Sequence, residues 1–121
     1  MNKNEPIKFF DLLIGEKLSS VTFVMDYLQL DFDGNRITCN VWPIVNVSNN
    51  SYEYQQTGYR DIICSLITDI VSRIDIEIDN HLRIEFSKGG SLTISLNLDN
   101  PELVTPEILT FTDRGNSLHI L

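Results

Sequence analysis

Alternation of apolar and polar residues, repeated in two separate stretches, limits most strongly what this chain can fold into. In each stretch every second residue of three short runs is apolar, at 21–25, 28–32 and 37–41 and again at 74–78, 82–86 and 92–96. This period predicts antiparallel strands with one buried and one wet face. Asp33-Gly34-Asn35 and Lys88-Gly89-Gly90 supply the positive φ that tight turns need. We therefore predict two three-stranded meanders, with the side chains of the first strands pointing inward: Val21, Phe23, Met25, Ile74, Ile76 and Ile78.

The two stretches also match each other, because residues 9–41 align with 62–96 at nearly every apolar position. Each begins with apolar residues at helical spacing, between Pro6 and Gly15 and from Arg60 to Ile67. The predicted fold is α+β: a duplicated helix-plus-three-strand-meander unit forms a curved or partly closed antiparallel sheet, with two short helices on its apolar face. A length of 121 residues fits a single domain, 1–121, with unit one at about 6–43 and unit two at about 59–97.

The segments outside the two units are less regular. Val45 and Val47 are predicted to pair with Tyr52 and Tyr54 in a further hairpin, and 117–121 has the pattern of a terminal strand. Residues 98–116 fit no single element.

The charge balance indicates what kind of partner suits the chain. Seventeen acidic residues face nine basic ones, which gives a formal net charge of -8. Nucleic acids and anionic membranes need a basic footprint, so neither is expected as a partner. A basic protein is favoured, although acidity for solubility alone explains the same charge.

The sequence also indicates a compartment. The start of the chain does not look like a signal peptide, and no apolar run could span a bilayer, so we expect a cytoplasmic protein. Cys39 and Cys64 are then expected to be reduced thiols, and Cys64 is predicted to be a small core residue.

No residue pattern indicates catalysis, a metal or a cofactor. His81 and His119 stand alone in the sequence, away from any nucleophile motif. Asp75, Glu77 and Asp79 alternate along one strand, where neighbours on the same face are about 6.5–7 Å apart, too far to share a small ion without help. We predict no catalytic residues, no metal and no cofactor.

Two sets of residues are candidates for binding a partner. The first consists of carboxylates on the outward face of the strands, expected on neighbouring strands of one sheet: Asp26, Asp31, Asp75, Glu77, Asp79 and Glu85. The second consists of aromatic residues of the type that dominates interfaces: Trp42, Tyr52 and Tyr54. A solvated sheet face would equally explain the first set, and burial beneath a folded-back linker would explain the second.

One motif resembles a known family. The run from Tyr59 to Ile67, followed by an alternating meander, is similar to a bacterial family of small uncharacterised domains with an Arg-Asp-x-x-Cys-x-Leu-Ile helix start. That family also has an upstream Trp-Pro, matched by Trp42-Pro43, and a downstream Pro-Glu, matched equally by Pro106-Glu107 and Pro101-Glu102. The resemblance covers about residues 13–110. It implies the fold and brings no established chemistry.

In size and acidity the chain also resembles the immunity proteins of contact-dependent inhibition toxin systems. This resemblance implies a non-enzymatic binding protein that neutralises a cognate basic toxin domain, a nuclease, by blocking its active site. The alternative is a structural or interaction domain that forms a homodimer through its sheet. A third hypothesis is a small-molecule pocket under the helices.

Overall fold

The structure, a computed structural model, describes residues 5–97 and 108–120. A 3-10 helix spans Glu5–Leu13 and one α-helix, α1, spans Tyr59–Cys64. The strands are β1 (Ser20–Val24), β2 (Tyr27–Phe32), β3 (Asn35–Cys39), β4 (Ile44–Val47), β5 (Asn50–Tyr52), β6 (Val71–Glu77), β7 (His81–Phe86), β8 (Ser91–Ser95), β9 (Leu109–Thr112) and β10 (Leu118–Ile120). Among these residues no helix is long and apolar enough to cross a membrane.

The strands form two antiparallel sheets, whereas one sheet was predicted. Sheet one has the order β1-β2-β3-β9-β10, and sheet two has the order β5-β4-β8-β7-β6. The mostly antiparallel architecture is confirmed, but neither five-stranded sheet closes within the described residues. Each meander is extended by a hairpin that lies far from it in sequence: β9 pairs with β3, and β4 pairs with β8. Alternation with a period of two indicates which face of a strand is buried, but it does not indicate which sequence-distant strands will pair with each other.

Both predicted meanders and their turns are present. Asp33 and Gly34 have φ values of 55° and 99°, and Gly89 has a φ of 100°. The additional hairpin also forms, with Val45 opposite Tyr52 and a turn at Ser48 and Asn49, both with positive φ. These are the backbone conformations that two-residue hairpin loops require. The terminal strand is confirmed as β10, which joins sheet one through β9.

Both helices differ from the prediction, the first in its type and the second in its length. The N-terminal segment is 3-10 in place of the expected α-helix, and α1 covers only the first part of the predicted 60–67. Neither could be stable alone, so both depend on packing. Each contacts both sheets: α1 contacts β1 and β4, while the 3-10 helix contacts β6, and its Phe10 meets Phe111 of β9 edge-on at 5.4 Å.

One hydrophobic cluster receives the buried side chains of both sheets. Its members include Leu28, Leu30 and Ile37 from sheet one and Leu82, Ile84 and Leu92 from sheet two. The first strand of each meander is an edge strand and contributes less. Met25 is 85% exposed and Ile78 is 40% exposed, so the prediction that these two side chains point into the core is wrong. Both lie past the ends of their strands, where no partner strand covers them.

The two sheets meet where β1 and β6 begin. Lys17 and Ile70 form an antiparallel bridge. Around it, the N–H of Gly15 donates to the carbonyl of Val71 (2.8 Å), and the N–H of Thr68 donates to the carbonyl of Leu18 (2.8 Å). Two further bonds run from Val71 to Glu16 and from Leu18 to Asp69. We call this segment, 15–18 with 68–71, the sheet bridge.

A pair of substitutions tests the burial of the strands. Ile84→Ala removes a fully buried side chain and should lower the free energy of unfolding by about 2–5 kcal/mol. Ile76→Ala, on the half-buried edge strand β6, should cost roughly 1–2 kcal/mol because less apolar surface is lost. Urea denaturation followed by circular dichroism measures both. Equal losses would mean that β6 is as deeply buried as β7.

A second pair tests the backbone of the sheet bridge. Thr68 has a φ of 82°, a conformation that a β-branched residue adopts only with strain, and its side chain is exposed. Thr68→Gly should therefore leave stability unchanged or raise it by about 1 kcal/mol, because relieved strain exceeds the entropic cost of glycine. Gly15, with a φ of 88°, has open space around its missing Cβ. Gly15→Thr should cost about 1–3 kcal/mol through backbone strain alone. A Thr68→Gly protein that melts clearly earlier would contradict this account.

Candidate protein-binding surface

The six predicted carboxylates do not all lie on neighbouring strands of one sheet. Asp26 and Asp31 belong to sheet one, and Asp75, Glu77, Asp79 and Glu85 belong to sheet two or its turns. Because the sheet bridge is antiparallel, β1 and β6 leave it in opposite directions. Asp26 lies in the turn between β1 and β2 of sheet one, and Asp79 lies in the turn between β6 and β7 of sheet two. The expectation of a single acidic face is wrong.

The outer face of sheet two is also less acidic than the sequence indicates. The register of β6 and β7 places basic side chains directly across from acidic ones on the neighbouring strand. Arg73 faces Glu85, Asp75 faces Arg83, and Glu77 faces His81. Arg73 and Glu85 form an ion pair at 3.7 Å, and His81 lies 3.4 Å from the carboxylate of Asp75. Opposite charges across an antiparallel pair are favourable, and Asp75 and Glu85 each face an arginine within the sheet.

Asp31 has a structural role in sheet one. It accepts hydrogen bonds from the backbone N–H of Gly34 (2.8 Å) and from the hydroxyl of Ser19 (3.2 Å), and it pairs with Arg36 at 3.4 Å. Its side chain is only 21% exposed. Asp26 and Asp79 lie exposed in turns. Of the predicted carboxylates, Asp26, Glu77 and Asp79 are thus the most accessible.

The predicted aromatic residues lie close together. Trp42 and Tyr54 stack face to face, with ring centroids 3.8 Å apart and planes inclined by 3°. Both are half-buried and pack against the core. Tyr52 is half-buried on β5, opposite Val45. The outcome lies between the two predicted alternatives, since these rings are anchored in the core and still partly exposed.

Three further residues complete a cluster around this stack. Phe23 of β1 lies 6.5 Å from Trp42, and Tyr59 of α1 meets Tyr54 edge-on at 5.9 Å. The guanidinium carbon of Arg60 lies 5.6 Å above the Phe23 ring, a cation–π contact. We call Phe23, Trp42, Tyr54, Tyr59 and Arg60 the aromatic corner. It joins the end of β1 in sheet one to the hairpin β4–β5 in sheet two.

Local sequence explains why these rings converge. Pro43 holds the residue before it, Trp42, in an extended conformation as the chain passes from β3 to β4. The loop after β5 turns back through Gln55 and Gly58, with φ values of 79° and 89°. The hydroxyl of Tyr59 then donates to the carbonyl of Pro43 at 2.5 Å. This bond links the start of α1 to the segment that carries Trp42, so the stack is held from both sides.

An open concavity of about 480 Å³ lies beside the aromatic corner. It is lined by Tyr54, Gln55, Gln56, Tyr59, Arg60 and Asp61, with Gly58 at its margin. A second concavity of about 530 Å³ shares Gln55 and Gln56 and extends to Tyr52. Both concavities are open to solvent, beside the start of α1 rather than beneath the helices. Their mixture of rings, amides and a carboxylate resembles the composition of protein-binding loops.

Charge at this corner is predominantly negative. Glu53, Asp61 and Asp26 are exposed carboxylates of the loop, of α1 and of the turn after β1, three residues from Phe23. Arg60 is the basic residue of the aromatic corner, and its guanidinium lies over a ring. The region has the chemistry that suits a basic protein surface.

The histidines are engaged away from this corner. His119 stacks on Phe9 at 4.1 Å and lies 3.4 Å from Asp113. Backbone N–H donors, led by that of Ser117, together with His119 hold the pKa of Asp113 below its ordinary value. Among the described residues, no three His, Cys, Asp or Glu side chains lie close enough together to hold a metal ion.

Sequence reasoning missed Phe23, Tyr59, Arg60, Asp61 and Glu53 as functional candidates. Arg60 and Asp61 were interpreted only as part of a structural helix start. A usable signal is present in the segment 52–61, which combines three tyrosines with three amide or hydroxyl residues and a glycine, a composition typical of binding loops. Phe23 carried no such signal, because its alternation with polar neighbours marks it only as an inward residue.

The two thiols should differ sharply in reactivity. Cys39 is fully buried, and burial raises its pKa to about 12. Cys64, predicted as a core residue, is exposed at the end of α1, so that prediction is wrong. Since the thiolate is the reactive form, iodoacetamide at neutral pH should label Cys64 in the native protein and label Cys39 only after unfolding. Intact-mass spectrometry counts the labels, and two labels on the native protein would contradict this assignment.

Known proteins were compared with the chain at three levels. No protein-family model, no curated protein and no solved structure matches it. The resemblances stated above therefore stay predictions.

Proposed function

We propose that this protein is a non-enzymatic binding protein that works in the bacterial cytoplasm as an immunity protein, neutralising a cognate basic toxin domain. The observation that carries the proposal is the stacked Trp42–Tyr54 pair, partly exposed beside an open concavity in a segment that also carries the exposed carboxylates of Glu53 and Asp61. Aromatic side chains held rigidly at a surface lose little entropy on binding. Trp and Tyr are among the residue types that contribute most of the binding energy at protein interfaces.

The nature of the partner follows from charge. The net charge of -8 steers a basic protein toward the chain from any side, whereas Asp26, Glu53 and Asp61 select the aromatic corner as the place of contact. A nuclease is the toxin class that fits best, since its active site must itself be basic to hold a polyanion. Covering that site with rings and carboxylates would exclude the substrate.

We further propose that the two units derive from one ancestral unit. The alignment pairs Gly15 with Thr68 and Leu18 with Val71, and these residues make reciprocal bonds across the sheet bridge. The same alignment pairs two positions with positive φ, 88° and 82°. Each meander is also completed by the hairpin that follows the other one, which is the arrangement expected if two copies had exchanged hairpins.

The functional proposal is tested by co-expression with the product of the adjacent reading frame. The wild-type chain should protect the host from the toxin and co-purify with it. Asp26→Lys with Asp61→Lys should slow association about tenfold or more at low salt, because steering is lost, and the difference should shrink at high salt. Stopped-flow fluorescence of Trp42 measures the rates.

Two matched controls locate the binding site. Asp79→Lys makes the same charge change at the other edge of sheet two, beside β6, and should have a much smaller effect. Asp75→Lys with Glu77→Lys places lysines opposite Arg83 and His81, so it should cost some stability, and the folded protein should still bind. Loss of binding only in this sheet variant would move the interface to sheet two. Absence of any complex with the wild type, together with a concentration-dependent dimer, would favour the homodimer.

A further inference from the structure

The concavity beside the aromatic corner has the chemistry of a receptor for a planar cation. Tyr54 is half-buried and offers a partly exposed ring to this concavity, and the buried ring of Tyr59 supports it edge-on at 5.9 Å. The carboxylate of Asp61 lies in the same lining, as do the amides of Gln55 and Gln56. Aromatic faces attract a guanidinium group, and a carboxylate can pair with its N–H donors.

The arrangement is preorganised. Tyr54 is held on one side by Trp42, and Tyr59 is buried and bonded to Pro43. The N–H of Glu53 donates to the side-chain oxygen of Gln56 at 2.6 Å, which fixes that amide in the loop. A ligand would therefore order little of the protein on entering, and small ordering costs favour binding.

The local charge selects a cation over an anion. The lining contains one carboxylate, Asp61, and one guanidinium, Arg60. The Arg60 guanidinium is placed over Phe23, and the exposed carboxylate of Glu53 belongs to the loop that lines the concavity. The corner as described thus has more negative than positive groups, and its positive group already has an aromatic partner.

We propose that this concavity binds an arginine side chain of the basic partner as its anchor. The proposal rests on the proposed function for the identity of the partner, but the site itself is a property of this chain. Arginine is favoured over lysine because its planar group can stack on a ring and pair with a carboxylate in the same pose, which a compact ammonium group cannot do.

The site is tested with a small probe and the full-length, isotope-labelled chain. N-acetyl-arginine amide is titrated in the NMR spectrum, with the citrulline and lysine analogues in parallel. The arginine compound should shift the resonances of Tyr54, Tyr59 and Asp61 saturably and bind at least about threefold more tightly than the lysine compound, whereas the uncharged citrulline compound should not saturate.

A matched pair of variants separates the site from general charge attraction. Asp61→Asn should weaken binding of the arginine compound about threefold to tenfold, and Asp79→Asn, the same change at the other edge of sheet two, should leave it within twofold. Unfolding curves confirm that both variants are folded. Equal effects of the two variants, or equal binding of arginine and citrulline, would overturn the proposal.

The same variants distinguish this proposal from the proposed function. If the toxin complex depends on Trp42 and Tyr54 but the arginine compound does not bind, the anchor is wrong and the function stands. If the arginine compound binds in an Asp61-dependent way but no basic protein forms a complex, the function is wrong and the cation site stands. If Asp61→Asn weakens both, both proposals are supported.

Discussion

Backbone hydrogen bonds between residues 15–18 and 68–71 hold the two sheets of this protein together at their β1 and β6 edges. Four such bonds flank the Lys17–Ile70 bridge. They satisfy donors and acceptors that would otherwise be exposed at the start of two edge strands. Asp69, buried at the bridge, accepts from the hydroxyl of Ser87 at 2.7 Å and from the N–H of Ile70 at 2.8 Å. This ties the bridge to the β7–β8 turn, so sheet two is held at two points.

The strand order decides where the functional groups lie. In sheet two β5 and β6 are the two edges, so the hairpin β4–β5 and the turn after β6 lie on opposite sides of that sheet. The end of β1 brings Phe23 to Trp42 and under Arg60. The end of β6 has Asp79 and the exposed Ile78. The aromatic corner therefore occupies only the β4–β5 side of sheet two, although the two meanders are similar in sequence.

Much of the local structure could be predicted from the sequence, and much of the assembly could not. Alternation and turn residues identified β2, β3, β7 and β8, because a half-buried strand must alternate and a tight turn must have positive φ. The sheet count depends on pairings such as that of Ile37 with Phe111, which are remote in sequence. No local pattern specifies such a pairing.

The candidate site was half predictable for the same reason. Trp42 and Tyr54 could be selected by residue type, but their contact needs the loop 53–58 to turn back, which its sequence indicates only weakly. The acidic face failed as a prediction because charge in a sheet depends on register: Arg73 and Arg83 face acids that looked unopposed along the chain. With those acids facing arginines, the exposed carboxylates near the aromatic corner are the groups that can attract a basic partner to that corner.

Long-range attraction and short-range contact involve different residues of this corner. Asp26 and Glu53 can attract a basic protein at long range, where salt screens the interaction, and Tyr54 and Trp42 can bind it at contact, where salt has little effect. Association and dissociation rates are then set by different residues of one corner.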